Sequence, residues 1–204
     1  EILSGLVGSE MCIRDRVARA RMSTVYMPGY KITMLPDAVV DTYTLLEGAD
    51  RPAVSLYARF DEATLELQST ETKLERVPIA ANLRHDQLDT AVTQAWLEDA
   101  SVAPEDTPAV ATRFRPQLSF LHRLARHLKA QREVVRGKPE NFNRPDYNFR
   151  LVGNDGAEPT GAEQVQITTR QRGAPLDLIV SEAMILANSC LLYTSPSPRD
   201  QRGS

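Results

Sequence analysis

Cysteine is nearly absent from this chain: Cys12 and Cys190 are the two it has in 204 residues. Two thiols near opposite ends support neither a disulfide framework nor a thiolate metal site. Long hydrophobic runs are missing too. No apolar stretch reaches the ~18 residues that a membrane-spanning helix needs, which excludes one. Neither sign of charge dominates, with 24 Lys and Arg against 27 Asp and Glu and a formal net charge of -3. Global charge therefore points to no polyanionic partner, and any basic surface must be local. A nucleophile elbow, a glycine-rich phosphate loop and an aspartate cluster that could gather magnesium are all lacking. Taken residue by residue, the chain displays no active site. What it does have is 42% hydrophobic and 25% charged residues, the balance of a globular protein, which excludes disordered and collagen-like classes. Its length suits one domain.

The two ends differ from the middle. Residues 6–16 read LVGSEMCIRDR and residues 190–200 read CLLYTSPSPRD. Back-translated, the second string has a reverse complement that encodes LVGSEMCIRD. Unrelated natural termini have no reason to be so related. Residues 1–16 and 190–204 are therefore expected to be translated sequencing adaptor flanking a natural insert of 17–189. Such ends have no evolved partner surface, so they should make few tertiary contacts and pair with no sheet.

Within the insert, Pro28-Gly29 predicts a turn between aromatic residues, followed by a short extended segment closed by Pro36. Asp37 is placed to N-cap a brief helix through about Leu45, ended by Gly48. Strand formers run from Ala53 to Phe60. After a turn at Asp61-Glu62-Ala63-Thr64, alternation resumes at Leu65, Leu67 and Ser69 and continues to Pro78, which predicts a hairpin. The period then changes. Leu88, Val92, Ala95 and Trp96 recur at helical spacing behind Asp86, as one helix to Asp99. A longer helix is expected over about Val110–Val135, with a stripe of Leu118, Leu121, Leu124, Ala125 and Leu128. Pro116 should separate or kink its first turn. Asp146–Val152 and Val165–Thr169 read as two strands joined by a turn-rich loop. A last helix runs from Leu176 to about Asn188, apolar on more than one face, as if buried in a larger body. The order of elements predicts an α+β fold.

Isolated chemical signals are weak. His85 and Asp89 have a spacing compatible with two metal ligands, but no third lies nearby, and a surface histidine beside a helix start explains them. His122 and His127, five apart, do not share a helix face. The stretch from Arg113 to Arg150 is different. It holds ten Lys or Arg against Glu133, Glu140 and Asp146, interleaved with Phe114, Phe120, Phe142, Tyr147 and Phe149. Cations with exposed rings suit single-stranded nucleic acid, whose phosphates meet charge and whose bases stack. A solvated helix face with its rings in the core would give the same string.

Four strings, in order, carry a resemblance. Tyr26-Met27-Pro28-Gly29-Tyr30 with Met34-Leu35-Pro36 resembles the Y-L-P-G-x-x-I-x-M-L-P segment of the RNB domain, the catalytic domain of the ribonuclease II family of 3′-to-5′ exoribonucleases. Arg51-Pro52-Ala53 resembles its R-P-x strand opening, and Arg144-Pro145-Asp146-Tyr147 with Phe149 resembles its R-P-D-Y-x-F. Val180 through Asn188 is similar to its V-E-E-x-M-I-x-A-N helix, with Ser181 in place of the first acid.

The resemblance implies an interior portion of an incomplete RNB domain, with a mixed sheet and packed helices. It implies a cytoplasmic, monomeric parent that uses Mg2+ to hydrolyse single-stranded RNA to nucleoside monophosphates. The family's metal-binding aspartates would lie upstream, so this chain is expected to hold no catalytic or metal residue and to be inactive alone. Its implied RNA-binding residues are Tyr26 and Phe142 as the two rings of a base clamp, together with Glu182. Arg170 and Arg172, just before the last helix, match no family position but could meet phosphates. A non-catalytic single-stranded RNA-binding module and a generic α+β interaction domain are the alternatives.

Overall fold

The structure is a computed structural model describing residues 16–102, 106–140, 145–153, 159–171 and 173–194; of 85, 86, 100, 170, 171 and 192–194 the backbone alone is described. After a short helix α1 (16–21), β1 (Val25–Met27) and β2 (Tyr30–Ile32) form an antiparallel hairpin. Its turn is Pro28-Gly29. Proline presets its own φ, and Gly29 supplies the positive φ, +70°, that the second turn position requires. Helix α2 (Asp37–Tyr43) follows Pro36, which occupies the cap position without a side-chain bond. Asp37 is therefore inside the first turn and not the cap; there its charge still favours the helix dipole. The helix stops at Thr44, short of Gly48, where the backbone turns extended.

Strands β3 (Asp50–Phe60) and β4 (Leu67–Pro78) make the long hairpin that alternation predicts, with Ala53 opposite Glu75 and Tyr57 opposite Glu71. The Asp61 carboxylate closes its tip by accepting the backbone N–H groups of Ala63 and Thr64 at 2.9 and 2.8 Å. Leu65 leaves the tip at φ +59° and is buried. A leucine there costs about 1–2 kcal/mol of backbone strain, which its buried side chain offsets.

The single helix expected over Asp86–Asp99 is split into α3 (His85–Leu88) and α4 (Gln94–Glu98). The cause is Thr93, extended at ψ 161°, whose hydroxyl accepts the Trp96 N–H at 3.2 Å. A short hydroxyl side chain caps a new helix more favourably than it continues an old one. The apolar spacing survives the break, because Leu88, Val92 and Trp96 still enter one core. A 3-10 turn (Ala100–Val102) follows.

Next come α5 (Ala109–Arg113) and α6 (Arg115–Arg136), parted at Phe114, with Pro116 in the first turn of α6 as expected. Gly137, at φ +69°, terminates α6 in the left-handed conformation that favours glycine. The buried stripe of α6 is Leu118, His122, Leu124 and Ala125, and Leu121 is exposed. Positions 118, 121, 122 and 125 share one helix face by spacing, yet Leu121 is left 40% exposed while His122 is buried. The polar His122 thus takes a core place that the sequence stripe gave to a leucine.

Strands β5 (Pro145–Val152) and β6 (Gln164–Gln171) pair antiparallel, and α7 (Pro175–Thr194) closes the described chain. Helix α7 runs past Asn188 through residues 190–194, since the next helix breaker is Pro196. Every pairing among the described residues is antiparallel within a two-stranded sheet, so the expected mixed sheet is not formed there. The links within each pair are too short for a parallel crossover. The core joins Leu88, Val92, Trp96 and Leu97 to Ala111, Leu118 and Leu176, with Phe114 and Ile179 against it. Antiparallel hairpins alternate with helical segments along the chain and no parallel β-α-β pairing forms among the described residues, which is α+β. Among the described residues no helix is long and apolar enough to cross a membrane.

Candidate functional site

Tyr26 stands 79% exposed on β1. Its hairpin is braced from behind: a Cβ placed on Gly29 would lie 2.8 Å from Leu151 Cδ1. Glycine at that turn therefore serves both a positive φ and the close approach of β5. Along β5, Tyr147, Phe149 and Leu151 alternate onto one face and stand opposite Thr169, Ile167 and Val165 of β6. Leu151 is the member that meets Gly29; Tyr147 and Phe149 are exposed. The fold thus joins the Tyr26 hairpin to a second hairpin bearing two further exposed rings. That second pair of rings was legible as R-P-D-Y-x-F, but its link to Tyr26 through Gly29 was not.

The other residues singled out in the sequence have different places. Arg170 lies in β6 opposite Asp146 of β5. Phe142 and Arg172 are outside the described residues. Glu182 is 2% exposed, and both of its oxygens accept from Arg132, at 2.5 and 2.7 Å. It is enclosed by α6 and presents no free carboxylate oxygen to a nucleic acid in this arrangement. Arg132 also bonds Glu140, as does Arg136, and the Glu140 N–H donates to Glu133 at 2.9 Å. Hydrogen bonds donated to Glu182 first, then to Glu140, push the Arg132 pKa above its ordinary value. Arg132 in turn holds the Glu140 carboxyl below the usual carboxylate range.

This network redistributes the basic stretch. Arg115 donates to the Trp96 carbonyl at 2.9 Å, Arg123 to that of Glu62 at 3.3 Å, and Arg126 pairs with Glu98 at 3.1 Å. Lys129 pairs with Glu133 at 3.7 Å, and Phe114 packs against the core. Much of α6 is therefore charge that ties helices together, and the aromatic face lies on the strands instead. No sequence signal separated Arg132 from its neighbours, because its acid partner Glu182 lies fifty residues away.

The RNB-domain model matches residues 13–195. The chain belongs to the RNB-domain family. The match begins before Val17 and ends beyond Ser189. Among its RNB relatives, Exoribonuclease 2 of Sodalis glossinidius is 30% identical over 186 residues, 86% of this chain and 24% of that protein. Exoribonuclease 2 of Aeromonas hydrophila subsp. hydrophila is 30% identical over 185 residues, 90% of this chain and 24% of that one. The chain spans about a quarter of the length of these relatives. A solved structure of yeast Ssd1, a pseudonuclease, aligns over 66% of this chain and 14% of its own, at 26% identity and a TM-score of 0.43. Among the described residues, no group of three or more His, Cys, Asp or Glu is placed to hold a metal ion. They do not fit a magnesium site, and no hydrolytic step is assigned to them.

Proposed function

We propose that this chain is the RNA-holding part of an RNB exoribonuclease that shortens single-stranded RNA from its 3′ end in the cytoplasm and releases nucleoside monophosphates. Phosphodiester cleavage, with its Mg2+, is left to residues elsewhere in a monomeric parent. The single observation that carries this reading is Tyr26: a ring 79% exposed on β1, in a hairpin whose Gly29 turn lies against β5, next to the strand pair that bears Tyr147 and Phe149. A ring on a braced hairpin loses little freedom when a base stacks on it, and stacking is worth about 1–3 kcal/mol. Membership of the family and relatives named Exoribonuclease 2 support RNA as the substrate class.

The test grafts residues 17–189 into a complete RNB exoribonuclease. Tyr26→Ala should weaken the hold on short single-stranded RNA by about tenfold or more and lengthen the limit product. Tyr26→Phe should behave as the unmodified graft, because stacking uses the ring and not the hydroxyl. An unchanged limit product with Tyr26→Ala would return Tyr26 to a turn-filling role. Tyr26-dependent binding without shortening, in a graft that retains the host's metal site, would favour the non-catalytic module.

A further inference from the structure

A cleft of about 790 Å3 opens along α6, away from both aromatic hairpins. Its walls are the tip of the β3–β4 hairpin at Leu65, the end of α4 at Glu98, and α6 itself. Helical spacing puts His122 with Arg126, and Arg123 with His127, as two adjacent i, i+4 pairs facing it. The floor is unusual. His122 is 6% exposed and also lines a second, smaller cleft on its other side, beside Lys129 and Pro175. No hydrogen bond to either of its ring nitrogens is found among the described residues. Burial first, and then the neighbouring Arg126, lower its pKa. Beside it in the lining, His127 Nε2 is fully enclosed and has no hydrogen-bond partner among the described residues; such an atom is costly to bury alone, and the missing partner is one that the cleft can admit.

We propose that this cleft binds a phosphate group, with Arg123 and Arg126 as its charged donors and His122 donating from the floor. Two guanidiniums and an imidazole offer converging N–H groups, which a phosphate, with several acceptor oxygens, satisfies together. Glu98 sets the empty state. It pairs with Arg126 at 3.1 Å and stands where it competes with an incoming anion. Arg123 is already turned to the cleft wall by its bond to the Glu62 carbonyl and by the Phe120 ring, 5.6 Å from its guanidinium carbon. The group could arrive as free phosphate or as a phosphodiester of an RNA chain, and the two sources share this chemistry.

The test titrates the 204-residue chain, in chloride buffer at fixed pH, with inorganic phosphate and separately with a short single-stranded oligoribonucleotide. Binding is read by calorimetry and by the His122 ring signals in NMR. Phosphate should move the His122 signals. Arg123→Gln and Arg126→Gln should each weaken binding about tenfold. Glu98→Gln should strengthen it severalfold, since it frees Arg126 and removes a like charge. Arg76→Gln, on β4 and outside the cleft, should change nothing. Circular dichroism would confirm that each variant is folded. Tighter binding of the oligonucleotide with the same residue dependence would assign the site to an RNA backbone, and equal or weaker binding to free phosphate; either supports it. Static His122 signals, or equal losses in Arg76→Gln and Arg126→Gln, would overturn it. Neither result depends on Tyr26, so this site and the stacking role stand or fall separately.

Discussion

Replacing Arg132 with methionine should destabilise the folded chain by about 3 kcal/mol. The guanidinium bridges Glu182 of α7 and Glu140 just beyond α6, and the Glu182 side chain is the most enclosed of the three. Methionine preserves the packing of the stem and removes the charge, which leaves a buried carboxylate without its partner. Breaking one side of such a pair costs about 3–5 kcal/mol; the lower figure applies because Arg132 itself is partly solvated. Glu182→Gln should cost less, since an amide oxygen still accepts one of the bonds. The double change Arg132→Met with Glu182→Met should recover most of the loss, because an apolar pair of similar volume carries no desolvation penalty. Urea denaturation followed by circular dichroism gives all three values. A loss below about 1 kcal/mol for Arg132→Met would show that the bridge is a surface pair in effect.

The same bridge has a pH signature. Arg132, through its hydrogen bond first, lowers the folded-state pKa of Glu140 below the ordinary carboxylate value. A depressed acid contributes stability that is present above its unfolded pKa and is lost as pH falls through the folded one. The unmodified chain should therefore lose this contribution below about pH 4.5, and Arg132→Met should flatten that acid limb.

What the sequence revealed depended on the range of the interactions. The β3–β4 hairpin was legible because period-two alternation and an Asp-led turn are local, and the structure pairs Asp50 with Pro78 through Phe60 with Leu67. The break at Phe114 was likewise announced by Pro116. Thr93 was missed because a threonine inside a helical pattern caps only if the chain leaves the helix there, which packing decides. His122 is buried and Leu121 exposed on the same helix face, which helical spacing does not decide because what packs over each position comes from other elements. Around the candidate Tyr26, the turn at Pro28-Gly29 was legible because proline and glycine act locally. Glu182 was visible as an acid, but its enclosure by Arg132 rests on a contact fifty residues long that no local pattern encodes. The mixed sheet came from the family resemblance and had no local signal of its own.

Trp96→Ala should be as damaging as the loss of Arg132, at about 3–5 kcal/mol. Trp96 is 2% exposed and belongs to the cluster that joins α3 and α4 to α5, α6 and α7. Helix α4 has five residues, too few to persist without tertiary support. Its hold on α6 is Trp96 and what surrounds it: the ring beneath Arg115, the Trp96 carbonyl accepting from that arginine at 2.9 Å, and the Leu97 carbonyl accepting from Ser119 at 2.8 Å. Truncation leaves a cavity and loosens the carbonyls that orient Arg115. Trp96→Phe keeps a ring in place and should cost about 1–2 kcal/mol, since much of the volume is retained. The unmodified chain carries its own reporter, because Trp96 is its one tryptophan; its emission should be blue-shifted when folded and move red on unfolding. The variants are followed by circular dichroism. The consequence extends to the α6 cleft, where Glu98 sits two residues along α4. With α4 loosened, Glu98 should no longer hold Arg126, so Trp96→Phe should leave phosphate binding near normal and Trp96→Ala should alter it along with the fold. A Trp96→Ala chain that melts like the unmodified one would mean that α4 is a passenger on the helical body and not a part of its core.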